Sequence, residues 1–251
     1  MTSNMRFSGI LLLLGLAVGC SKNETPNPIS ANVNLHFAHL VDGNDVVLDQ
    51  VLYTNAVGQD YSVKTIKYFI SRIQLHTVDN KTIDMEDILY VDVRTEESLT
   101  QTLEAKIPEG NYSGISFVYG LVPEDNITGR FTAPPESLME WPVPMGGGYH
   151  YMKLEGDYVI NDESNFYNFH AGMLNGQPYE VYVDLRSTAF TVKGQQVDLE
   201  IAMEIQNWFK NPVNWDFAYF GGGIMGNPEA QQTVHDNGHD VFNVNVIDPA
   251  E

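Results

Sequence analysis

Between Val33 and Val41 apolar and polar side chains alternate: Val33, Leu35, Phe37, His39 and Val41 form one row, and Asn34, His36 and Ala38 begin the other. A period of two is the mark of a strand with one buried face. The pattern returns where Val197, Leu199, Ile201, Met203 and Ile205 alternate with Asp198, Glu200, Ala202, Glu204 and Gln206. Further strands are predicted over 63–78, 88–93, 112–120, 149–160, 166–170, 179–192 and 241–247. Turn formers separate them at Asp42-Gly43-Asn44, Asp79-Asn80, Pro108-Glu109-Gly110, Asn175-Gly176 and Lys193-Gly194.

Helix is scarce. The best candidate runs from Pro228 to Asp236, with Asn227 as N-cap, Pro228 at the first helical position, Glu229 in the first turn and Gly238 beyond the end. A short turn is expected around Pro135 to Met139. The fold class is therefore all-β: a β-sandwich or partly closed barrel of short antiparallel strands with one or two short helices.

The N-terminus changes the picture of where this domain works. Arg6 precedes an apolar run from Ile10 to Val18, too short to span a bilayer, which reads as a signal peptide over residues 1–19. The run ends in Ala17-Val18-Gly19-Cys20, a lipobox-like sequence that would place a lipid on Cys20. Residues 20–32 then form a polar, proline-containing tether, and 33–248 a single β domain. These features predict an exported, membrane-anchored lipoprotein at the periplasmic or outer-membrane surface, touching the membrane only through its lipid anchor. Cys20 is the only cysteine, which excludes disulfides, thiolate metal sites and a cysteine nucleophile from the mature domain. A formal charge of −20 argues against nucleic acid as a partner.

Two loops are neither strand nor ordinary linker. Trp141 to Gly148 (WPVPMGGG) and Phe217 to Asn227 (FAYFGGGIMGN) each mix aromatics, glycines and a methionine, a composition that lines a site or plugs the end of a barrel. Strand phase sorts the histidines. His36 and His76 lie in polar rows, whereas His39 shares its row with Val33, Leu35 and Phe37. His150 shares a row with Met152, Leu154, Tyr158 and Ile160, and His170 stands at a strand end before Ala171-Gly172. Taken singly, each is best read as a hydrogen-bonded core residue; together, His39, His150 and His170 form a candidate copper or zinc site. His235 and His239 are four apart, but Gly238 is expected to end the helix between them. Met145, between Pro144 and three glycines, is a candidate soft ligand, with Trp141 lining the same loop. No nucleophile elbow, H-E-x-x-H helix or phosphate-binding loop occurs, so an enzyme is not expected.

Taken in order, Leu35 to Gly43 (LHFAHLVDG), Tyr53 to Leu75, Ser116 to Gly120, Trp141 with Gly148 to Gly156 (GYHYMKLEG), Phe169 to Gly172 (FHAG) and Trp208 to Phe242 resemble the MbnP-like copper-binding family, exported proteins common as lipoproteins in Bacteroidetes. The resemblance implies a β-sandwich-like domain that binds copper through histidines, with His39 and His170 at the family's histidine positions and His150 where relatives often carry another residue. In some relatives a dihaem peroxidase-like partner oxidises a tryptophan two residues before a ligand histidine. No W-x-H occurs here, so Trp141, Trp208 and Trp215 do not inherit that modification, and the cysteine some relatives carry after the H-x-G segment is missing. Two functions follow as expectations. The first is copper holding or delivery. The second is a metal-free recognition module binding a glycan, peptide or protein through Trp141, Tyr149, Tyr151, Tyr219 and Phe220.

Overall fold

The computed structural model describes residues 30–247. The signal region, Cys20 and most of the predicted tether lie outside the described residues. The principal strands are β1 (Ser30–Val41), β2 (Thr65–Thr77), β3 (Leu89–Asp92), β4 (Gly110–Tyr119), β5 (His150–Ile160), β6 (Glu163–Gly172), β7 (Val181–Leu185), β8 (Phe190–Val192), β9 (Gln196–Glu204) and β10 (Phe242–Ile247). Two of these correct the expected boundaries. β1 starts three residues inside the predicted tether, because Ser30 and Ala31 pair with Pro108 and Ile107 and bury Ala31. The stretch 179–192 divides into β7 and β8, where the Arg186 amide turns back to the Asp184 carboxylate at 3.1 Å.

The strands form two sheets. In the smaller one β9 lies between β10 and β1. β10 runs antiparallel to β9, whereas β1 and β9 run parallel, in register from Asn32–Gln196 to Leu40–Glu204. A parallel pair needs a long connection, and here most of the domain supplies it. In the larger sheet β4 pairs with β7, β8 and β2, β2 with β3 and β5, and β5 with β6, all antiparallel. The apolar rows face each other across the two sheets and bury Val33, Leu35 and Phe37 against Ile66, Tyr68 and Leu154. The Asp42-Gly43 turn closes as expected, with positive φ at both residues.

A second core forms on the outer face of the larger sheet. There Phe69, Tyr90, Tyr149 and Tyr151 pack against Leu121, Met139 and Leu174, and Phe131 stacks on Phe69 with ring centres 5.2 Å apart. The long excursion between β4 and β5 covers this face, and both faces of β2 are thereby dry: Tyr68, Phe69, Ile70 and Ser71 are all buried. Strands covered on both sides read as unbroken apolar runs rather than alternations.

α2 (Pro228–Asn237) matches its predicted cap. The Asn227 carboxamide oxygen accepts from the amides of Glu229 and Ala230 at 3.1 and 3.2 Å. One further turn of helix, α1 (Phe217–Phe220), precedes it. The expected turn near Pro135 is a 3₁₀ segment, Glu136–Met139.

Candidate metal centre

His170 sits near the end of β6, where its neighbours Phe169 and Ala171 enter the main core. Alternation therefore sends the imidazole to the other face, beside Lys153, its cross-strand partner. His150 opens β5, opposite Gly172. A regular strand would send His150 to the same side as Met152, as the sequence reading supposed. The pairing is irregular between His150 and Met152, however, and this reverses the phase. Met152 joins the main core, while the His150 ring meets His170 with centres 5.0 Å apart and planes at 88°.

For neutral rings, the hydrogen bonds assign which nitrogen of each is free. His150 Nδ1–H donates to the Met139 carbonyl at 2.9 Å, so Nε2 carries the lone pair. His170 Nε2–H donates to Glu155 at 2.7 Å, so Nδ1 carries the lone pair. Both lone-pair nitrogens, His150 Nε2 and His170 Nδ1, are buried without a hydrogen-bond partner. A buried unsatisfied polar atom costs about 1–3 kcal/mol, and here two of them lie on neighbouring rings.

The residues fit a metal. Metal-bound histidines characteristically donate their other N–H to a carboxylate or a carbonyl, and each ring here does one of these. With metal–nitrogen bonds of about 2.0–2.1 Å, two imidazoles on one tetrahedral ion have centres about 5 Å apart, matching the pair. Burial holds the His150 pKa down to about 3, keeping the imidazole neutral and ready to ligate. The hydrogen bond from His170 lowers the Glu155 pKa, so the supporting group is a carboxylate.

The two unusual loops meet at this place. Trp141 is fully buried, lies edge-on to His150 with centres 4.8 Å apart, and directs its indole N–H toward the Met145 carbonyl at 3.4 Å. A Cβ on Gly172 would fall 2.7 Å from the Trp141 ring, so a glycine is needed where β6 passes beneath the indole. Met145 packs against the second core, and a Cβ on Gly226 would lie 3.5 Å from its terminal methyl. Gln231 on α2, itself fully buried, donates to the His170 carbonyl at 2.8 Å and accepts from the Gly172 amide at 3.1 Å. A groove of about 300 Å³ reaches Glu155 from outside, lined by Lys67, Asp92, Lys153 and Met139. We expect Gln231→Leu to orphan these backbone groups and cost about 1–3 kcal/mol in urea unfolding. An unchanged midpoint would show that the clamp carries no weight.

The structure gathers two of the three predicted histidines. His39 points into the main core, where Nε2 meets the Tyr68 hydroxyl at 3.2 Å and Tyr68 packs on Phe37, Tyr119 and Phe242. The larger sheet stands between that core and the His150–His170 pair. Among the described residues no group of three or more His, Cys, Asp or Glu side chains is placed to hold one ion. The stacking surface expected for a recognition module is also missing: Trp141, Tyr149, Tyr151 and Phe220 are buried, and Tyr219 alone of the five is exposed, at 66%. Sequence reading overlooked Glu155 and Gln231. In a chain with 33 acidic residues a carboxylate carries no signal until cross-strand register sets it beside His170.

A family model described as MbnP matches residues 30–225. The chain belongs to the MbnP family. Among solved structures it is similar to MbnP from Methylosinus trichosporium, with a TM-score of 0.57 over 86% of this chain and 99% of that one. At 15% identity that likeness is one of fold. No curated protein matches the chain. The MbnP match contains His39, Trp141, His150, Glu155 and His170, and it stops short of α2 and β10.

Proposed function

We propose that this MbnP-family protein binds one copper ion between His150 Nε2 and His170 Nδ1 and holds or delivers it at the periplasmic or outer surface, without catalysing a reaction. The observation that carries the reading is the pair of adjacent imidazoles, each with a buried, unpartnered nitrogen. Copper(I) suits the surroundings better than zinc. His150 is buried and held neutral, and a single charge costs less to bury than two. Zinc normally takes four ligands. Met139 lies in the second core and Met145 and Met173 pack against it, and thioether sulfur prefers copper(I). Met145, which links the two loops, is the methionine to test as a third donor.

The direct test is a Cu(I) and Cu(II) titration of residues 21–251. Retention of one tightly held equivalent is expected, and no stoichiometric uptake would overturn the reading. Export as a lipoprotein rests on the N-terminal pattern ending in Cys20. Cys20→Ser is expected to move the protein from the membrane fraction to the soluble fraction and to abolish labelling by radioactive palmitate; unchanged fractionation would refute the anchor. The dihaem peroxidase-like partner enters only through the family resemblance, and co-purification with tagged protein would test it.

A further inference from the structure

The winding of α2 does not stop at its last α-helical residue. Gly238 caps α2 as expected, but its backbone stays in the right-handed region (φ −66°, ψ −12°), and a 3₁₀ turn, Gly238–Asp240, follows directly. His235 and His239 are thus four residues apart on nearly continuous helical backbone, a spacing that sets side chains on neighbouring positions of one side. Both line one open surface cavity of about 600 Å³, together with Asp236, Asn211 and Tyr182.

Each ring is held as a metal ligand is held. His235 Nδ1–H donates to the Glu180 carbonyl at 3.0 Å, and His239 Nδ1–H donates to the Asp236 carbonyl at 3.0 Å. In both rings Nε2 is therefore the lone-pair nitrogen. Near His239 Nε2 are the Asn211 carboxamide nitrogen at 3.5 Å, too long for a strong bond, and the Asp240 carboxylate at 3.8 Å.

From this arrangement we infer a second metal site, at the surface, in which His235 and His239 bind a divalent ion of the copper(II), zinc or nickel class with water completing its shell. Imidazole nitrogen is a borderline donor that favours such ions, copper(II) most of all. Two protein nitrogens on an open face make the site weaker and faster-exchanging than the buried pair. The net charge of −20 draws cations toward it. The site lies beyond the MbnP match, which ends at residue 225, and it stands independently of the copper(I) reading. α2 nevertheless connects the two: Gln231, which clamps the His170 carbonyl, precedes His235 by about one helical turn.

The test is a Cu(II) titration of residues 21–251 against a competing chelator, followed by electron paramagnetic resonance, using wild type, His235→Gln, His239→Gln and, as an isolated-histidine control, His36→Gln. Wild type is expected to bind a weaker Cu(II) equivalent with a two-nitrogen spectrum. Each of the first two substitutions should weaken it at least about tenfold, and His36→Gln should leave it alone. The His150→Gln, His170→Gln double variant should retain this equivalent, which separates failure of the surface site from failure of the buried one. Absence of the weaker equivalent in wild type, its survival in both His235→Gln and His239→Gln, or equal loss in His36→Gln would overturn the proposal.

Discussion

Replacing His150 and His170 together by glutamine is expected to abolish uptake of the tightly held copper while leaving the metal-free protein at least as stable as before. Glutamine still offers a donor for the Met139 carbonyl and for Glu155, the two groups the imidazoles now satisfy. What it removes is the pair of buried lone-pair nitrogens, each of which burdens the folded state while no ion is bound. Each single substitution should weaken copper(I) binding by more than about 100-fold, because altering supporting groups alone already costs about 10–100-fold. Glu155→Gln belongs in that lower range, since it removes the charge that makes His170 a better donor but keeps an acceptor. Competition against a chromogenic chelator reads the affinities. A thermal scan gives an independent signal: copper at about 1,000 times its dissociation constant should add about 4 kcal/mol to wild type and nothing to the double variant. If the double variant kept its copper, the site would lie elsewhere in the molecule.

His39 should govern acid stability rather than metal binding. Burial holds its folded pKa down to about 4 from an unfolded value near 6.5, partly offset by the nearby charge of Asp92. The sign follows from proton counting. Above pH 6.5 the ring is neutral in both states and contributes no pH dependence. As the pH falls from 6.5 toward 4, the unfolded chain takes up a proton that the folded protein refuses, and stability is lost. Over the whole window the loss amounts to about 3 kcal/mol, at about 1.4 kcal/mol per pKa unit. His39→Gln keeps an acceptor for the Tyr68 hydroxyl but has no proton to gain. Its unfolding free energy, measured in urea at pH 7 and pH 4.5, should therefore fall less than that of wild type by about 2–3 kcal/mol. Parallel pH profiles would show that the core admits His39 in its charged form. A matching loss of copper in His39→Gln would also count against its separation from the metal pair.

Much of the fold was legible in the alternation itself. Val33 to Val41 and Val197 to Ile205 repeat with period two because each strand has one wet and one dry face, and the apolar rows found in the sequence are the rows that meet in the main core. The Asp42-Gly43 turn and the Asn227–Pro228 start of α2 were equally readable, since positive φ and unpaired amides are local demands met by local side chains. Less was legible around 120–149. That excursion has no periodicity because it covers the outer face of a sheet rather than pairing within one, and it turns Phe69 and Tyr90, which would otherwise face water, into core.

By itself, the sequence determined the all-β class, the principal strands, the inward face on which His39 falls, and the membership of the two glycine- and methionine-containing loops in something other than ordinary linker. Each of these depends on steric and hydrophobic preferences that act within a few residues along the chain. Only the tertiary structure decided which histidines meet. The irregular pairing between His150 and Met152 reverses the phase that alternation assigns to His150, and such a shift depends on the partner strand. Glu155, Gln231 and the Met139 carbonyl become supports of the pair through contacts across β5, β6 and α2 that span from 11 to 61 residues. His39 parts from the pair for the same reason: its row is apolar, but the sheet that contains Tyr68 and His170 turns those two side chains to opposite faces.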